Sequence, residues 1–483
     1  MNLIDHLLFR AHLNPDDTGV VSGGRILSFG ELALRVRGAA TQLRRQGIEP
    51  GQQVAIYAND PVVHWVLVLA VMHEGAISCS AHPSFDPMPA TYRVDAYLAE
   101  RMAPFMNRTP VILTDAAWFE ACARPDPTLK PQAFASADAV FRVISSSGTT
   151  GEPKAIPMSS RQLTERIAHA NTLPQFGPSL CMMTPSTLGG FSQPLASIMR
   201  GMTQVFAFAP AAVERSIELT GVTNLLASPA QLQALVTHLE GRSTSLRSLR
   251  ALTFGGAPLP ASLLARLRQR IFPDLRGIYG STEAGLVSVA STRMLERHPG
   301  CAGVLVPGAS VELVDEDDQA VAPGEDGIVR VRSPGMCDHY VGDPQGTAQA
   351  FRDGWFYPGD RARFTPEGIL LITGRATELV NLGGSKMNPV LIDDFLNAQP
   401  GIVDAAAFGV ETGPGQHQIW AAVVVDREID TARLIEASRE RFGAKGPARL
   451  VSVASIARNA MGKIQREEVR AAVLAMLQAG TRH

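Results

Sequence analysis

Between Ser28 and Phe272 the chain alternates helix-period segments with short apolar runs, and this alternation constrains its fold more than anything else. "SFGELALRVRGAATQLRRQG" at 28–47 sets Leu32, Val36, Ala39, Ala40 and Leu43 at helical spacing, with its arginines mostly on other faces. "QQVAIYA" reads as a strand, a buried helix follows near 62–74, and "GAISCSA" is a second strand. Another series runs through "FRVISSS", "SSRQLTERIAHANTL", "SLCMMTP", the Leu232–Leu239 helix, "LRALTFGG" and "ASLLARLRQRIF". Strands interleaved with helices predict layered α/β structure with largely parallel sheets.

The texture changes after about residue 300. "AGVLVPGASVELVDEDDQAVAPGEDGIVRVRSPG" is rich in short β-like runs and turn residues, predicting a small β-barrel-like subdomain. From about 375 onward the pattern is compact α+β, with "AAAFGV", "QIWAAVVV" and two amphipathic helices. The expected division is 1–375 and 376–483, near "TGRATE".

With 45% apolar and 19% charged residues in 483, the chain can bury a sizeable core. A net charge of −2 gives no basic surplus of the kind nucleic-acid binding needs. Cys79, Cys122, Cys181, Cys301 and Cys337 are scattered and odd in number, which argues for structural thiols rather than zinc or a disulfide framework. No basic flank leads into an apolar run at the start, and "WVLVLAVM" at 65–72 is too short to span a bilayer. The expectation is a cytoplasmic protein with no membrane span and no nucleic-acid partner. Oligomeric state is left open.

Chemistry concentrates in "VISSSGTTGEPK" at 143–154, where a buried strand runs into hydroxyls, glycines and a lysine. Ser146, Ser147, Thr149 and Thr150 supply O–H donors, Gly148 and Gly151 let backbone N–H groups turn outward, and Lys154 adds a cation. Such a set can solvate a polyphosphate, yet alone it is also an ordinary turn. It is not a Walker A loop, because Pro153 precedes the lysine and Ala155 follows it. Five further segments decide the matter. "FGGAPLP" at 254–260 offers bare backbone to a flat ligand. "IYGSTEAG" at 278–285 places an aromatic ring, a hydroxyl and a carboxylate within one turn. Asp360 lies in "GWFYPGDRARF" and Arg375 in "ITGRATELVNLGGSKMNP", and Lys463 follows a glycine in "RNAMGKIQREEVR".

In this order the segments resemble the adenylate-forming superfamily of acyl-CoA synthetases, peptide-synthetase adenylation domains and firefly luciferase, over nearly the whole chain. The phosphate-loop signature fits Ser146 to Lys154, with Ala155 where glycine is usual. The Y-G-x-T-E signature fits Tyr279–Glu283, and the G-D, G-R and G-K-I-x-R elements fit Gly359–Asp360, Gly374–Arg375 and Gly462–Arg466. The resemblance implies a large N-terminal AMP-binding domain, a small mobile C-terminal domain, and two half-reactions. A carboxylate attacks the α-phosphate of ATP to give acyl-adenylate and pyrophosphate, and a thiol then displaces AMP.

Carried over, Ser146, Ser147, Gly148, Thr149, Thr150, Gly151 and Lys154 hold the β- and γ-phosphates. Tyr279 and the Gly255–Gly256–Ala257 backbone flank adenine, with Gly280 beside them. Thr282 touches the α-phosphate, Glu283 holds Mg²⁺, and Asp360 and Arg375 hold the ribose. Lys463 bridges carboxylate and nucleotide, where two anions must meet and repel strongly once water is excluded. Thr377 stands at the hinge, where Asp or Lys is usual.

Amino-acid-activating relatives place an aspartate in the acyl pocket, but nothing between Ser179 and Pro210 is acidic. An ammonium buried there would lack a partner. A small apolar lining drawn from Thr187, Gly189, Phe191, Ser228, Gly255 and Leu286 suits an aliphatic or aryl acid, with Met182 and Met183 in the core. The leading expectation is a carboxylate–CoA ligase using ATP, Mg²⁺ and coenzyme A. The alternative acceptor is the phosphopantetheine of a separate carrier protein. A non-catalytic family member is the further alternative, opposed by the intact Lys154, Glu283, Asp360, Arg375 and Lys463.

Overall fold

The computed structural model describes all residues except 1, 82–89, 107–108, 146–152, 172, 243–245, 272–274, 299, 377, 379, 383–385, 414–415, 459–462 and 481–483. Two sheets dominate. A six-stranded sheet runs in the order Val111–Leu113, Ala96–Ala99, Gln53–Tyr57, Ile77–Ser80, Val140–Ser145, Ala155–Ser159, parallel except for its last pair. The larger sheet has a parallel centre built from Gln204–Phe206, Ser179–Cys181, Asn224–Ala227, Ala251–Gly255 and Leu275–Ser281.

Helix Pro61–His73 shows why the layers stack as they do. Asp60 caps it by accepting from the Val62 and Val63 N–H groups, and Pro61 sits at its first position, where a missing N–H costs nothing. From His64 to His73 every side chain is buried, because the helix packs against strands of both sheets at once. A helix apolar on all sides belongs in such a place. The uniform hydrophobicity of 65–72 therefore reports an inter-sheet layer.

The β-rich stretch expected after residue 300 is present and joins the large sheet edge to edge. Cys301–Leu305 pairs antiparallel with Gly285–Ser291 on one side and with Leu370–Arg375 on the other. Asp360–Phe364 then pairs with Leu370–Arg375, placing Asp360 directly opposite Arg375.

Beyond residue 386, Ile402–Gly413, Gln416–Val425 and Arg449–Ser452 form a three-stranded sheet. Its period-two pattern separates two small cores. Ala405, Ala407, Ile419 and Ala421 pack with Ile392 and Leu396 of helix Pro389–Asn397. Ala406, Phe408 and Ala422 pack on the other face with Val469 and Val473 of helix Arg466–Gly480.

Candidate active site

The floor of the site is one face of three neighbouring parallel strands. Leu226 lies opposite Thr253, Thr253 opposite Arg276, and Gly255 opposite Ile278. Since alternate residues share a face, Asn224, Leu226, Ala251, Thr253, Gly255, Arg276 and Ile278 point the same way, and all line one cavity of about 550 Å³. Helix Leu188–Arg200 forms a wall, presenting Gly189, Ser192, Gln193, Ala196 and Arg200 at helical spacing. Lys154, Tyr279, Thr282, Glu283, Asp360, Arg375 and Lys463 line the same cavity.

At the polar end, Tyr279 Oη donates to Asp360 Oδ2 at 2.7 Å, and Arg375 Nε lies 3.1 Å from Asp360 Oδ1. Arg375 also donates to the Pro358 carbonyl at 2.6 Å. Burial, reinforced by the Asp360 charge, pushes the Tyr279 phenol well above its ordinary range, so it remains a donor. Lys463 reaches this cluster from the segment before the last helix. Burial, with Arg375 adding repulsion, lowers its ammonium to about 8, against the pull of Asp360 and Glu378.

Thr282 and Glu283 lie in the turn between Leu275–Ser281 and Gly285–Ser291. That turn is tight enough that a Cβ at Gly280 would stand 1.9 Å from the Gly285 carbonyl oxygen. Its backbone is stapled by Arg166, whose guanidinium donates to the carbonyls of Thr282 (2.8 Å), Glu283 (2.7 Å) and Gly335 (2.7 Å). The Glu283 carboxylate accepts from Tyr340 Oη at 3.0 Å and is nearly buried. Lys154 forms an ion pair with Asp343.

The donor set suits a nucleotide with a divalent cation. Among the described residues no three His, Cys, Asp or Glu side chains gather as a metal site. Magnesium needs none, since it is commonly held by one or two carboxylates together with substrate phosphates and water. Glu283, a carboxylate lining the cavity, fits that pattern.

Of the residues expected from sequence, Lys154, Thr187, Gly189, Gly255, Gly256, Tyr279, Gly280, Thr282, Glu283, Leu286, Asp360, Arg375 and Lys463 line the cavity. Ser146 to Gly151 and Thr377 lie outside the described residues. Ala257 is not among the lining residues.

Two expectations for the acyl pocket are corrected. Phe191 is fully buried beneath the Arg142 guanidinium (4.6 Å) and packs against Trp65 and Phe141, because its position in helix Leu188–Arg200 faces the inter-sheet core. Ser228 caps helix Pro229–Leu239 through a capping box with Gln231, which engages its hydroxyl at the helix end, and it is not among the lining residues. Met182 and Met183 are buried, as expected, and Met183 lines the cavity as well, its sulfur beside Gly189.

Arg166, Tyr340 and Asp343 were not foreseen. Arg166 carried a signal: it falls on the face of helix Ser160–Ala170 that buries Leu163 and Ile167, where an arginine must find acceptors. Tyr340 and Asp343 come from a loop distant in sequence and carried none.

The family model described as AMP-binding enzyme matches residues 9–341. The chain belongs to the AMP-binding enzyme family. This places it in the adenylate-forming superfamily, on the acyl-CoA synthetase branch. Over 95% of its length it is 29% identical to a feruloyl-CoA synthase from Amycolatopsis sp, covering 97% of that protein. It is 28% identical to a 4-chlorobenzoate–CoA ligase from Arthrobacter sp over 95% of this chain and 93% of the relative. The fold matches the Bacillus subtilis o-succinylbenzoate CoA synthetase in complex with ATP and magnesium, with TM-score 0.86, 22% identity, and 96% and 99% of the two chains covered. An amide bond synthetase from Marinactinospora thermotolerans matches with TM-score 0.83 and 25% identity, with 97% and 99% covered. In this AMP-binding enzyme the cavity has a polar end around Tyr279, Asp360 and Arg375 and a more apolar part lined by Met183, Gly189, Ala196, Leu226 and Ala251.

Proposed function

We propose that this AMP-binding enzyme is an ATP-dependent carboxylate–CoA ligase. It forms an acyl-adenylate with release of pyrophosphate and then passes the acyl group to the CoA thiol. One observation carries the reading: side chains from distant segments, Lys154, Tyr279, Glu283, Asp360, Arg375 and Lys463, converge on a cavity whose other half is largely apolar. The names of its full-length relatives, a feruloyl-CoA synthase and a 4-chlorobenzoate–CoA ligase, support an aryl or aliphatic acid as substrate.

In this reading Asp360 and Arg375 hold the ribose, and Tyr279 with the Gly255–Gly256 backbone holds adenine. Thr282 steadies the α-phosphate, and Lys154 with residues 146–151 takes the distal phosphates. Glu283 is the protein's ligand to Mg²⁺, which supplies charge neutralisation at the phosphates when bound. The Lys463 ammonium sits where carboxylate and α-phosphate must approach, offsetting their repulsion and stabilising charge that builds as they join. The division at 375/376, with Thr377 as pivot, would let residues 376–483 withdraw Lys463 before the thiol arrives.

The test is acid-dependent ATP–pyrophosphate exchange over a panel of aliphatic, aryl and amino acids. Mass analysis after adding CoA, a holo-carrier protein or an amine then identifies the acceptor. Exchange with aryl or aliphatic acids and a CoA thioester product is expected. Exchange with amino acids alone would overturn the substrate reading, and absence of exchange with any acid would overturn the activity.

A further inference from the structure

The acyl half of the cavity ends in positive charge that no carboxylate among the described residues balances. Topology brings two arginines to the same end by independent routes. Strand Leu275–Ser281 meets the nucleotide half at Tyr279 and Gly280, and Arg276 lies about 13 Å back along it, near its start. Strand Ser179–Cys181 runs parallel to its neighbours, so helix Leu188–Arg200 begins at their C-terminal edge and travels back beside the floor to the next parallel strand, Gln204–Phe206. From Gly189 to Arg200 this helix covers about 16 Å, delivering Arg200 to the far end, where Arg276 already lies.

The Arg200 guanidinium donates to Gln175 Oε1 at 2.7 Å and to Asn171 Oδ1, both neutral acceptors. Arg276 donates only weakly, to the Pro174 carbonyl at 3.4 Å. Among the described residues neither arginine pairs with a carboxylate. The acids that line the cavity, Glu283 and Asp360, stand at the opposite end and are engaged by Tyr340 and by Tyr279 and Arg375. Burial lowers the Arg200 guanidinium below its ordinary range. Guanidinium groups match carboxylates in shape and donate in pairs.

Resting on the ligase reading above, we propose that the substrate is a dicarboxylic acid. One carboxylate is activated beside Lys463, and the second, on the order of 10 Å away by the strand spacing, is received by Arg200 and Arg276. The walls between them, Met183, Gly189, Ala196 and Thr253, fit an aryl or alkyl spacer.

The experiment compares pairs of similar length in ATP–pyrophosphate exchange: cinnamate with 4-carboxycinnamate, and octanoate with octanedioate. The diacid of at least one pair should exceed its monoacid in kcat/KM by about ten- to a hundred-fold, the worth of a charged hydrogen bond. Arg276→Gln and Arg200→Gln should each erase most of that preference while leaving kcat/KM for the monoacid within about threefold, and Tm read alongside identifies a variant that merely misfolds. Because Arg200 also holds Asn171 and Gln175, Arg276→Gln is the decisive variant. Monoacids used as well as diacids, or variants that slow both alike, would overturn the inference and leave the ligase standing. Exchange with no acid would overturn both.

Discussion

Lys463 shows what a single side chain contributes and how burial sets its working range. The proposed mechanism needs its charge, yet burial and Arg375 hold its ammonium near 8, so it is protonated at neutral pH and loses the proton as the pH rises through about 8. Acid-dependent exchange should therefore fall along an alkaline limb centred near 8. Lys463→Arg, which keeps its charge, should lack that limb, and Lys463→Ala should slow exchange by about a hundred- to a thousand-fold. Thioester formation from preformed acyl-adenylate should be nearly unchanged in Lys463→Ala; an equal loss in both steps would remove Lys463 from its role. Arg166 differs because its hydrogen bonds go to backbone carbonyls. Arg166→Met would leave the carbonyls of Thr282, Glu283 and Gly335 short of donors, at about 1–3 kcal/mol each when buried. A loss of about 3 kcal/mol in stability and a raised KM for MgATP are expected in denaturation and magnesium titrations. Arg166→Lys should recover only part, since an ammonium lacks the fork that reaches three carbonyls.

Secondary-structure elements set the size of the proposed acyl pocket, and two adjacent glycines of helix Leu188–Arg200 separate fit from folding. A Cβ at Gly189 would meet the Met183 sulfur at 2.7 Å, the soft part of a flexible side chain. A Cβ at Gly190 would stand 1.9 Å from the Thr184 carbonyl oxygen, which is backbone and cannot move aside. Gly189→Ala should fold normally and shift acid preference towards shorter substrates with KM for ATP unchanged, whereas Gly190→Ala should lose on the order of 3 kcal/mol. Thermal denaturation with a substrate-length series distinguishes them, and equal effects would contradict the wall assigned to Met183. Much at this scale was legible in the sequence. The alternation of helix and strand is written in local periodicity, as is the apolar helix at 61–73. The Tyr279–Glu283 turn declares itself by residue type. What stayed hidden depends on direction: nothing local says that Phe191 faces the core while Gly189, two residues earlier, faces the cavity. Nor does a strand pattern reveal that Ser228 spends its hydroxyl on a helix end, or that Tyr340 will reach back to Glu283.

At the scale of the whole molecule, the site exists only if residues beyond 375 deliver Lys463 to a cavity built by residues before it. Arg466 carries much of that delivery. It donates to Asp393 Oδ2 at 2.6 Å, to the Ala407 carbonyl at 2.7 Å and to Glu378 Oε2 at 3.1 Å. It thus ties the helix that follows Lys463 both to the C-terminal sheet and to the segment directly after Arg375. The Asp393 contact is deeply buried and belongs to folding, for breaking such a pair by removing one partner costs about 3–5 kcal/mol. The Glu378 contact is more exposed, and its cost to stability is smaller by the same reasoning. Glu378 also helps Lys463 keep its proton, so Glu378→Gln has two consequences that a purely structural role would not produce together. Exchange should slow by about three- to ten-fold, the worth of a partly exposed charged pair, and its alkaline limb should move to lower pH because a nearby negative charge is gone. Thioester formation from preformed acyl-adenylate should stay as it was, since the thiol step in this reading proceeds with Lys463 withdrawn. A pH profile of both half-reactions on one variant decides it: an unmoved limb, or two steps slowed alike, would mean that Glu378 neither tunes Lys463 nor favours the arrangement that brings it to the nucleotide.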